Sequence, residues 1–515
     1  MDRVACDVEH TGGDWLPEKQ PIDFRHVYPV TGLRLLRLSS THPPQMSSTS
    51  SKPAPESGSK TARSVLLCGA SVRSLAESTI AAGFHPLCAD FFEDEDLKNL
   101  LSSGRGRFVG RIESFQQLPH VIRSVRKSIP LLWAGGLENH SDVLREISKT
   151  RSVIGADPDI VEQLRDPWTV QRWLSEAVIE SPRLATESTA DANCSWLRKS
   201  VASSGGIGIG LLHRPGWNDG SGGRGWTERS EGSPGVSSGR SPTPATHQCT
   251  SDSPLQRHDV YLQEYIDGVP MSATFCSDES GLHLLGMCLQ LIGWPCLGAS
   301  NFLFCGNLGP VDVGEEITKQ VLAIARVLVD RSGIRGVFGI DFIMRQGKVW
   351  LLEVNPRLTA SHMLFELQQP GLLVQRHLAA LGWKSSKTRR TKEMPKSRLL
   401  EVPTPVSARL IFWAKQDVEF SPHREPQGAS RRFPPIRLAD CPQPGSVVAK
   451  SSPLCSLHVT ASDFESIERQ LTALEAGPGD EKNSSIAELF KTGFSTQAIA
   501  GQLRLLRQKF ERNCG

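Results

Sequence analysis

Two short apolar runs that each carry an acid constrain this chain most strongly. Residues 339–343 (Gly-Ile-Asp-Phe-Ile) and 352–357 (Leu-Glu-Val-Asn-Pro-Arg) flank the turn Arg-Gln-Gly at 345–347. Alternation of apolar and polar residues on both sides of a short glycine turn predicts a β-hairpin. Each strand of this hairpin holds a carboxylate at a position where a strand would otherwise bury only hydrocarbon.

The spacing of the acids decides which face of the hairpin they share. Glu353 and Asn355 are two residues apart, so both project from one face. Asp341 shares that face if the register is of even parity, which a three-residue loop with Gly347 in the left-handed conformation supplies and a two-residue loop does not. The hairpin then offers two carboxylates and an amide oxygen, the hard ligands that Mg²⁺ bridging two phosphates requires. Arg357 follows on the same face, where its planar fork could bind a phosphate or carboxylate. A hairpin with ordinary solvated acids is the alternative.

Composition excludes several classes of protein. A chain of 515 residues with 45 Gly, 34 Pro and 38% hydrophobic residues is expected to hold about three domains and some unpacked segments. The net charge of +3 indicates neither nucleic acid nor an anionic membrane as partner. The 12 cysteines are scattered, with no Cys-x-x-Cys and no His-Cys cluster at zinc spacing, which favours a reduced, cytoplasmic setting. The first residues lack the pattern of a secretory signal.

Residues 281–311 have no Asp, Glu, Lys or Arg, but their glycines and proline predict short strands rather than a membrane span.

The order of patterns predicts the domain organisation. After a disordered leader (1–62), buried strands alternate with helical patterns from 63 to 158, which predicts a parallel, doubly wound sheet. Its first turn has a single glycine, Gly69, so we do not predict a dinucleotide site. A second domain is expected at 159–384 with a disordered insertion at 215–257, since that insertion is about half Gly, Ser and Pro. Strand patterns then predict a small β-rich subdomain at 385–478, and an amphipathic pattern predicts a helical tail at 479–515.

A lysine-bearing strand in the second domain runs directly into a glycine-rich loop. Lys199 lies in the strand pattern 196–201, and the loop that follows has backbone N–H groups that could approach a polyphosphate closely. The pattern is not a P-loop, and a plain flexible turn is the alternative. A later strand, 260–266, ends in a polar hinge that could offer an adenine its backbone hydrogen bonds; an edge strand is the alternative. The amphipathic pattern 315–331 predicts a scaffold helix.

Taken in order, the lysine strand, glycine loop, hinge strand, long helix and acidic hairpin resemble the ATP-grasp superfamily. The similarity covers roughly 64–475 and is nearest to predicted ATP-dependent carboligases related to biotin carboxylase. It implies a mixed α/β and α+β fold: an N-terminal doubly wound (pre-ATP-grasp) domain, which includes the run Gly-Gly-Leu-Glu-Asn-His at 135–140, a two-lobed ATP-grasp domain, and a small C-terminal β-rich subdomain.

The resemblance also implies a role for each site residue. Lys199 would hold the α- and β-phosphates, Arg357 would steady the transferring phosphoryl group, and these two would be the catalytic residues. Asp341, Glu353 and Asn355 would bind magnesium, with manganese as an alternative. The remaining nucleotide contacts would come from the loop and the hinge: Ser203, Ser204, Gly205, Gly206, Gly208, Gln263, Glu264, Ile266 and Asp267. Two departures concern the hinge, because Gln263 stands where relatives often have Glu, and the ribose contact depends on Asp267.

The activity that the resemblance implies is that of a carboxylate–amine ligase, in which Mg-ATP activates a carboxylate as an acyl phosphate and an amine captures it. The partners would be a small-molecule carboxylate and a small-molecule amine, and the protein would bind neither nucleic acid nor a membrane. The resemblance leaves it open whether the protein forms a homodimer. Two other hypotheses are a carboxylase that phosphorylates bicarbonate and an ATP-binding regulatory protein without turnover. No biotin-attachment Met-Lys-Met occurs in the chain.

Overall fold

A computed structural model describes residues 64–102, 104–191, 193–212, 260–383, 405–419, 436–476, 489 and 492–514. The expected disordered segments 1–62 and 215–257 lie outside the described residues, and the domain boundaries stay predictions. Among the helices of the described ranges, none is both long enough and apolar enough to cross a membrane.

The N-terminal region is built on a parallel sheet, as the sequence predicts. Its strands lie in the order β3-β2-β1-β4-β5, with the first strand in the centre and its side chains buried. The strands are β1 (Ser64–Cys68), β2 (His85–Asp90), β3 (Arg107–Arg111), β4 (Leu131–Trp133) and β5 (Val153–Ile154). The helices that connect them are α1 (Arg73–Ala81), α2 (Glu95–Ser102), α3 (Leu118–Val121) and α4 (Ser141–Ser148). The prediction of a doubly wound fold is confirmed.

Two helices lead from this sheet into the next region. They are α5 (Pro158–Arg165) and α6 (Pro167–Glu176). Each begins with proline after an aspartate whose carboxylate accepts a backbone N–H of the first turn. A small antiparallel sheet follows in the order β6-β9-β7-β8. Its strands are β6 (Leu184–Ala185), β7 (Trp196–Ser200), β8 (Gly210–Leu212) and β9 (Val260–Glu264).

The largest element is an antiparallel sheet of eight strands in the order β14-β13-β10-β11-β12-β15-β19-β17. They are β10 (Val269–Asp278), β11 (Gly281–Ile292), β12 (Phe304–Gly309), β13 (Gly336–Arg345), β14 (Lys348–Asn355), β15 (Val406–Trp413), β17 (Ile436–Ala439) and β19 (Pro453–Ala461). The uncharged stretch 281–311 forms strands, as predicted. The C-terminal strands extend this sheet, and β16 (Val418–Glu419) pairs separately with β18 (Val447–Val448).

Helices cover the large sheet: α7 (Gly314–Ser332), α8 (Leu372–Ala380), α9 (Phe464–Ala476) and α10 (Thr496–Cys514). The predicted scaffold helix is α7, which buries Ile317, Val321 and Leu328 and ends at Gly333, whose φ is 70°. The tail helix α10 packs on α9, where Arg507 and Glu465 form an ion pair at 2.9 Å.

Candidate functional site

The acidic hairpin is formed by β13 and β14, but its loop differs from the prediction. Arg345 pairs with Lys348, so the loop contains only Gln346 and Gly347. Both have positive φ, 50° and 73°, which is the geometry of a two-residue turn that matches strand twist. The expectation of a three-residue loop was wrong.

A β-bulge nevertheless brings the two acids together. Phe342 pairs with Leu351 in the register set by the loop, but Asp341 pairs with Glu353, which leaves Leu352 as the extra residue of β14. Without this bulge the two-residue loop would place the carboxylates on opposite faces. The predicted shared face is therefore real, and the bulge rather than the loop produces it.

The two carboxylates strongly affect each other. Burial, together with the charge of Glu353, raises the pKa of Asp341 to about 7. Burial also acts to raise the pKa of Glu353, but the charges of Arg165 and Lys199 outweigh it and lower that pKa. The amide of Asn355 donates to Asp341 Oδ2 at 3.0 Å. The three predicted metal ligands thus form one cluster, in which two carboxylates share a buried site.

Arg357 lies beside this cluster and is held by a residue of the N-terminal region. Its guanidinium contacts Glu138 Oε1 at 2.5 Å and Asn355 Oδ1 at 3.4 Å. Glu138 is only 3% exposed and also accepts the N–H of Gly136 at 2.6 Å. Burial acts to raise the pKa of Glu138, but the neighbouring Arg357 outweighs it and keeps that pKa low. A side chain on Gly135 would crowd Arg357, so the glycine turn permits this approach.

Arg165, at the end of α5, connects the acids to the glycine loop. It donates to the carbonyl of Ser203 at 2.9 Å and to that of Val354 at 3.3 Å, and lies 3.6 Å from a carboxylate oxygen of Glu353. It also donates to Asn139 Oδ1 at 3.1 Å. Because one planar guanidinium makes all these contacts, it holds the glycine loop next to the acidic hairpin.

Lys199 is buried between the small sheet and the hairpin. Its Nζ donates to Gln263 Oε1 at 3.2 Å and lies 5.9 Å from the ring centroid of Tyr261. The amide of Gln263 in turn donates to the carbonyl of Leu352, the bulge residue, at 3.1 Å. Gln263 thus positions the lysine against the acidic hairpin.

The glycine loop rests on the turn before β12. Gly205 and Gly206 have φ values of 65° and 77°, and a side chain on Gly206 would collide with the carbonyl of Phe302. The N–H of Phe304 donates to the carbonyl of Gly205 at 2.9 Å. Gly208 also has positive φ, 76°. Glycine is therefore required both for the backbone conformation and for the close approach.

Comparison with known families identifies the part of the chain that holds the hairpin. Residues 235–361 match the family model described as an ATP-grasp domain. The chain contains an ATP-grasp domain. The matched range includes the hinge strand and the acidic hairpin, but not Lys199 or the glycine loop. A comparison with curated protein sequences finds no significant match.

Solved structures share the fold of this chain at low sequence identity. The Rhizobium etli pyruvate carboxylase structure is 13% identical with a TM-score of 0.54, over 82% of this chain and 40% of that chain. The biotin carboxylase domain of Hydrogenobacter thermophilus 2-oxoglutarate carboxylase, described as a dimer with MgADP, ADP and bicarbonate, is 12% identical with a TM-score of 0.54, over 86% and 98%. N5-carboxyaminoimidazole ribonucleotide synthetase from Thermus thermophilus is 12% identical with a TM-score of 0.51, over 81% and 99%. At these identities, the TM-scores show a common fold and nothing more.

The hinge residues of the ATP-grasp domain have mixed surroundings. Ile266 is buried, whereas Glu264 forms an ion pair with Arg183 at 3.0 Å. Asp267 is exposed and pairs with Lys509 of α10 at 3.0 Å. The structure therefore brings Lys199, Gln263 and the three acidic-hairpin residues together, while Glu264 and Asp267 have partners of their own.

Two residues of this site were missed from the sequence. Glu138 and Arg165 lie in the N-terminal region and in α5, far along the chain from the hairpin that they contact. The only available signal was the position of Glu138 just after the Gly135-Gly136 turn. Within the described ranges there is no cluster of three or more His, Cys, Asp or Glu side chains that could hold a metal; the site offers two carboxylates and an amide.

Proposed function

We propose that this protein is an ATP-dependent carboxylate–amine ligase that uses Mg-ATP and an acyl phosphate. The observation that carries the proposal is the direct pairing of Asp341 with Glu353, with Asn355 bonded to Asp341 and Arg357 beside it. A hairpin kept only for structure would gain nothing from two facing carboxylates, because like charges directly opposite each other destabilise a sheet.

The donor set fits magnesium. Two carboxylates and an amide oxygen are hard ligands. Burial and the charge of Glu353 raise the pKa of Asp341, and a divalent cation bound there would favour the charged form of both acids. Asp341, Glu353 and Asn355 would hold the ion, which would neutralise charge on the phosphates; manganese is an alternative. The MgADP named for the Hydrogenobacter domain supports magnesium and an adenine nucleotide as ligands in general.

The chain's own residues supply positioning and charge. Lys199 would hold the α- and β-phosphates, and the loop at 203–208 would cover them with its backbone N–H groups. The hinge, through Gln263, Glu264 and Ile266, would meet the adenine, and Asp267 would meet the ribose after it leaves Lys509. A cavity of about 40 Å³ bordered by residues of the loop, the hinge strand and β14 lies at this junction.

Two bond exchanges complete the proposed reaction. A carboxylate oxygen of the first substrate attacks the γ-phosphorus, and the bond to the β,γ-bridging oxygen breaks to release ADP. The amine then attacks the acyl carbon, phosphate leaves with the bonding pair, and the amine proton passes to solvent. Arg357, fixed by Glu138, would stabilise the charge on the transferring phosphoryl group and on the leaving phosphate.

An ADP-release assay with pooled carboxylates and amines tests the proposal. Release that needs both pools, and that falls at least about 100-fold in Glu353→Ala, is the expected result. Release that needs bicarbonate alone would favour a carboxylase. ATP binding without release for any pool would favour a regulatory protein and refute the ligase. The proposal also includes a cytoplasmic location for the protein and its assembly as a homodimer.

A further inference from the structure

A row of polar side chains crosses one face of the eight-stranded sheet. Directly paired residues of antiparallel strands project to the same side. The register pairs Asp341 with Ser272, Asn307 with Arg409, and Arg409 with His458. In the middle of the row, Ser272 pairs with Cys288, and Gln290, two residues along on the same face of that strand, pairs with Asn307. At the far end, Arg437 pairs with His458. The face that carries the acidic hairpin at one edge therefore carries two arginines and a histidine towards the other.

The basic end of this row belongs to a buried ion cluster shared with α1. Arg437 contacts both carboxylate oxygens of Glu77 at 3.0 Å. Arg409 and Arg73 contact opposite oxygens of Asp440 at 2.9 and 2.8 Å. Burial acts to raise the pKa of Asp440, but Arg73 and Arg409 outweigh it and hold the pKa well below its usual range. The cluster joins the N-terminal region to the C-terminal strands.

A cavity of about 30 Å³ opens beside this cluster. That volume admits two or three waters or one carboxylate group. One wall comes from α1 and one from the face of β15, β17 and β19, and both are polar. The third comes from the segment that follows Arg357 in the chain and is apolar except for the buried Glu366, whose carboxylate bonds to the N–H groups of Gly371 and Leu373. The lining therefore includes two carboxylates, Glu77 and Glu366, beside the two arginines. The lining residues that the argument uses are Ser74, Arg409, Arg437, His458, Leu364 and Leu367.

Two of the lining residues each have a buried polar atom without a hydrogen-bond partner among the described residues: Arg409 at Nε and His458 at Nε2. His458 is only 5% exposed, and a buried polar atom without a partner costs free energy. The Nε–H of an arginine can only donate, so the missing partner must include an acceptor. A carboxylate oxygen meets that requirement, because a hydrogen bond from a guanidinium N–H to a charged oxygen is stronger than one to a neutral acceptor.

We propose that this cavity binds a carboxylate group of a co-substrate, at the end remote from the reacting atoms. The inference rests on the proposed ligase function and names the chemistry of one substrate. Asp341 and Arg409 are separated by four strand spacings, about 19 Å at roughly 4.8 Å each, so the bound carboxylate is an anchor and not the group that is phosphorylated. The apolar wall accommodates the hydrocarbon part next to it.

Ser74 offers a matched pair of variants. It lines the cavity from α1, is partly exposed, and takes no part in the ion cluster. Ser74→Phe fills the mouth of the cavity, and Ser74→Ala leaves it open. Thermal shift and calorimetry on the full chain would use acetate, succinate, glutarate and L-glutamate as probes, against chloride of equal ionic strength. At least one dicarboxylate should stabilise the native chain and Ser74→Ala, and should bind Ser74→Phe at least about tenfold more weakly.

A second variant covers the case in which Ser74→Phe does not fold. Arg437→Lys keeps a charge opposite Glu77 but loses the planar fork, and should weaken the same probe at least about tenfold. Magnesium-dependent binding of an ATP analogue should be unchanged in either variant, which shows that the nucleotide site is intact. Stabilisation by no probe, or equal stabilisation of native chain and variants, would overturn the inference.

The outcome can be separated from that of the ligase proposal. If ADP release is found, Ser74→Phe should raise the KM of a carboxylate-bearing co-substrate with kcat nearly unchanged, and an unchanged KM would overturn the inference alone. If ADP release is absent but the probes bind and Ser74→Phe abolishes binding, the ligase proposal fails and the carboxylate site stands.

Discussion

The two ends of the eight-stranded sheet carry opposite charges on one face, and the charges that compensate them are arranged differently. At the hairpin end, Asp341 and Glu353 face each other, and the compensating charges of Arg165 and Lys199 come from other elements. At the β17 end, each arginine already has a carboxylate partner within 3.0 Å. The hairpin end therefore places two carboxylates where a cation can bind them. At the β17 end the ion pairs hold two parts of the chain together, and among the described residues only the Nε–H of Arg409 in these pairs with Asp440 and Glu77 is left to bind an added acceptor in the cavity.

Removing one arginine from the ion cluster at the β17 end should lower the stability of the protein most. Arg73→Met leaves Asp440 with one partner fewer in a buried setting, since Arg73 is only 2% exposed. We expect the free energy of unfolding to fall by about 3–5 kcal/mol. Chemical denaturation measures it, with Arg145→Met as control, because its pair with Asp159 is exposed and should matter by less than about 1 kcal/mol. Equal losses in both variants would contradict the comparison.

At the acidic end, stability and function should move in opposite directions. Asp341→Asn removes a carboxylate whose charge is disfavoured by burial and by Glu353, so the metal-free protein should be more stable at about pH 8. Magnesium-dependent nucleotide affinity should fall about 100-fold, or about 2.7 kcal/mol. Calorimetry with and without magnesium measures the loss. A variant that is less stable yet binds nucleotide normally would show that the acid pair is structural.

Arg165 supplies charge to the acidic end from another element. Arg165→Lys keeps the charge beside Glu353 but cannot also bond the carbonyl of Ser203, so the glycine loop should loosen. Nucleotide affinity should weaken about tenfold while stability changes little. Calorimetry tests the affinity, and protection of the loop in hydrogen exchange tests its mobility. Faster exchange elsewhere but not in the loop would argue against this role.

The smallest effect concerns pH at the basic end. Burial, together with the charges of Arg437, Arg73 and Arg409, lowers the pKa of His458 well below 6.5, against the opposing charge of Asp440. The unfolded chain therefore binds a proton that the native protein does not, and stability falls as pH falls below about 6.5, by at most about 1.4 kcal/mol per pH unit. Denaturation of native protein and His458→Gln at several pH values checks this, since the variant should show a shallower decline.

The acids of the hairpin could be found from the sequence because their spacing is local. A period of two places Glu353 and Asn355 on one face whatever surrounds them. The bulge at Leu352 could not be found in this way, because nothing in that run distinguishes a bulged residue from a paired one. Its carbonyl receives the amide of Gln263 from the other sheet, so the contact that accompanies the bulge is tertiary.

The C-terminal strands show the same limit. Apolar alternation predicts β15 and β19, but not that they continue the sheet that begins with the hairpin. Strand pairing depends on which edges meet in three dimensions, and β12 and β15 are separated by almost a hundred residues. As a result, the polar row from Asp341 to Arg437 cannot be predicted from the individual segments of the sequence.

By itself, the sequence determined the elements and their chemistry: the buried strands of the parallel sheet, the lysine strand with its glycines, and two acids on one hairpin. Only the tertiary structure decided that Glu138 fixes Arg357 and that Arg165 joins Glu353 to the glycine loop. The physical reason is that side-chain direction follows from local backbone periodicity, whereas a contact between distant segments depends on how whole layers pack.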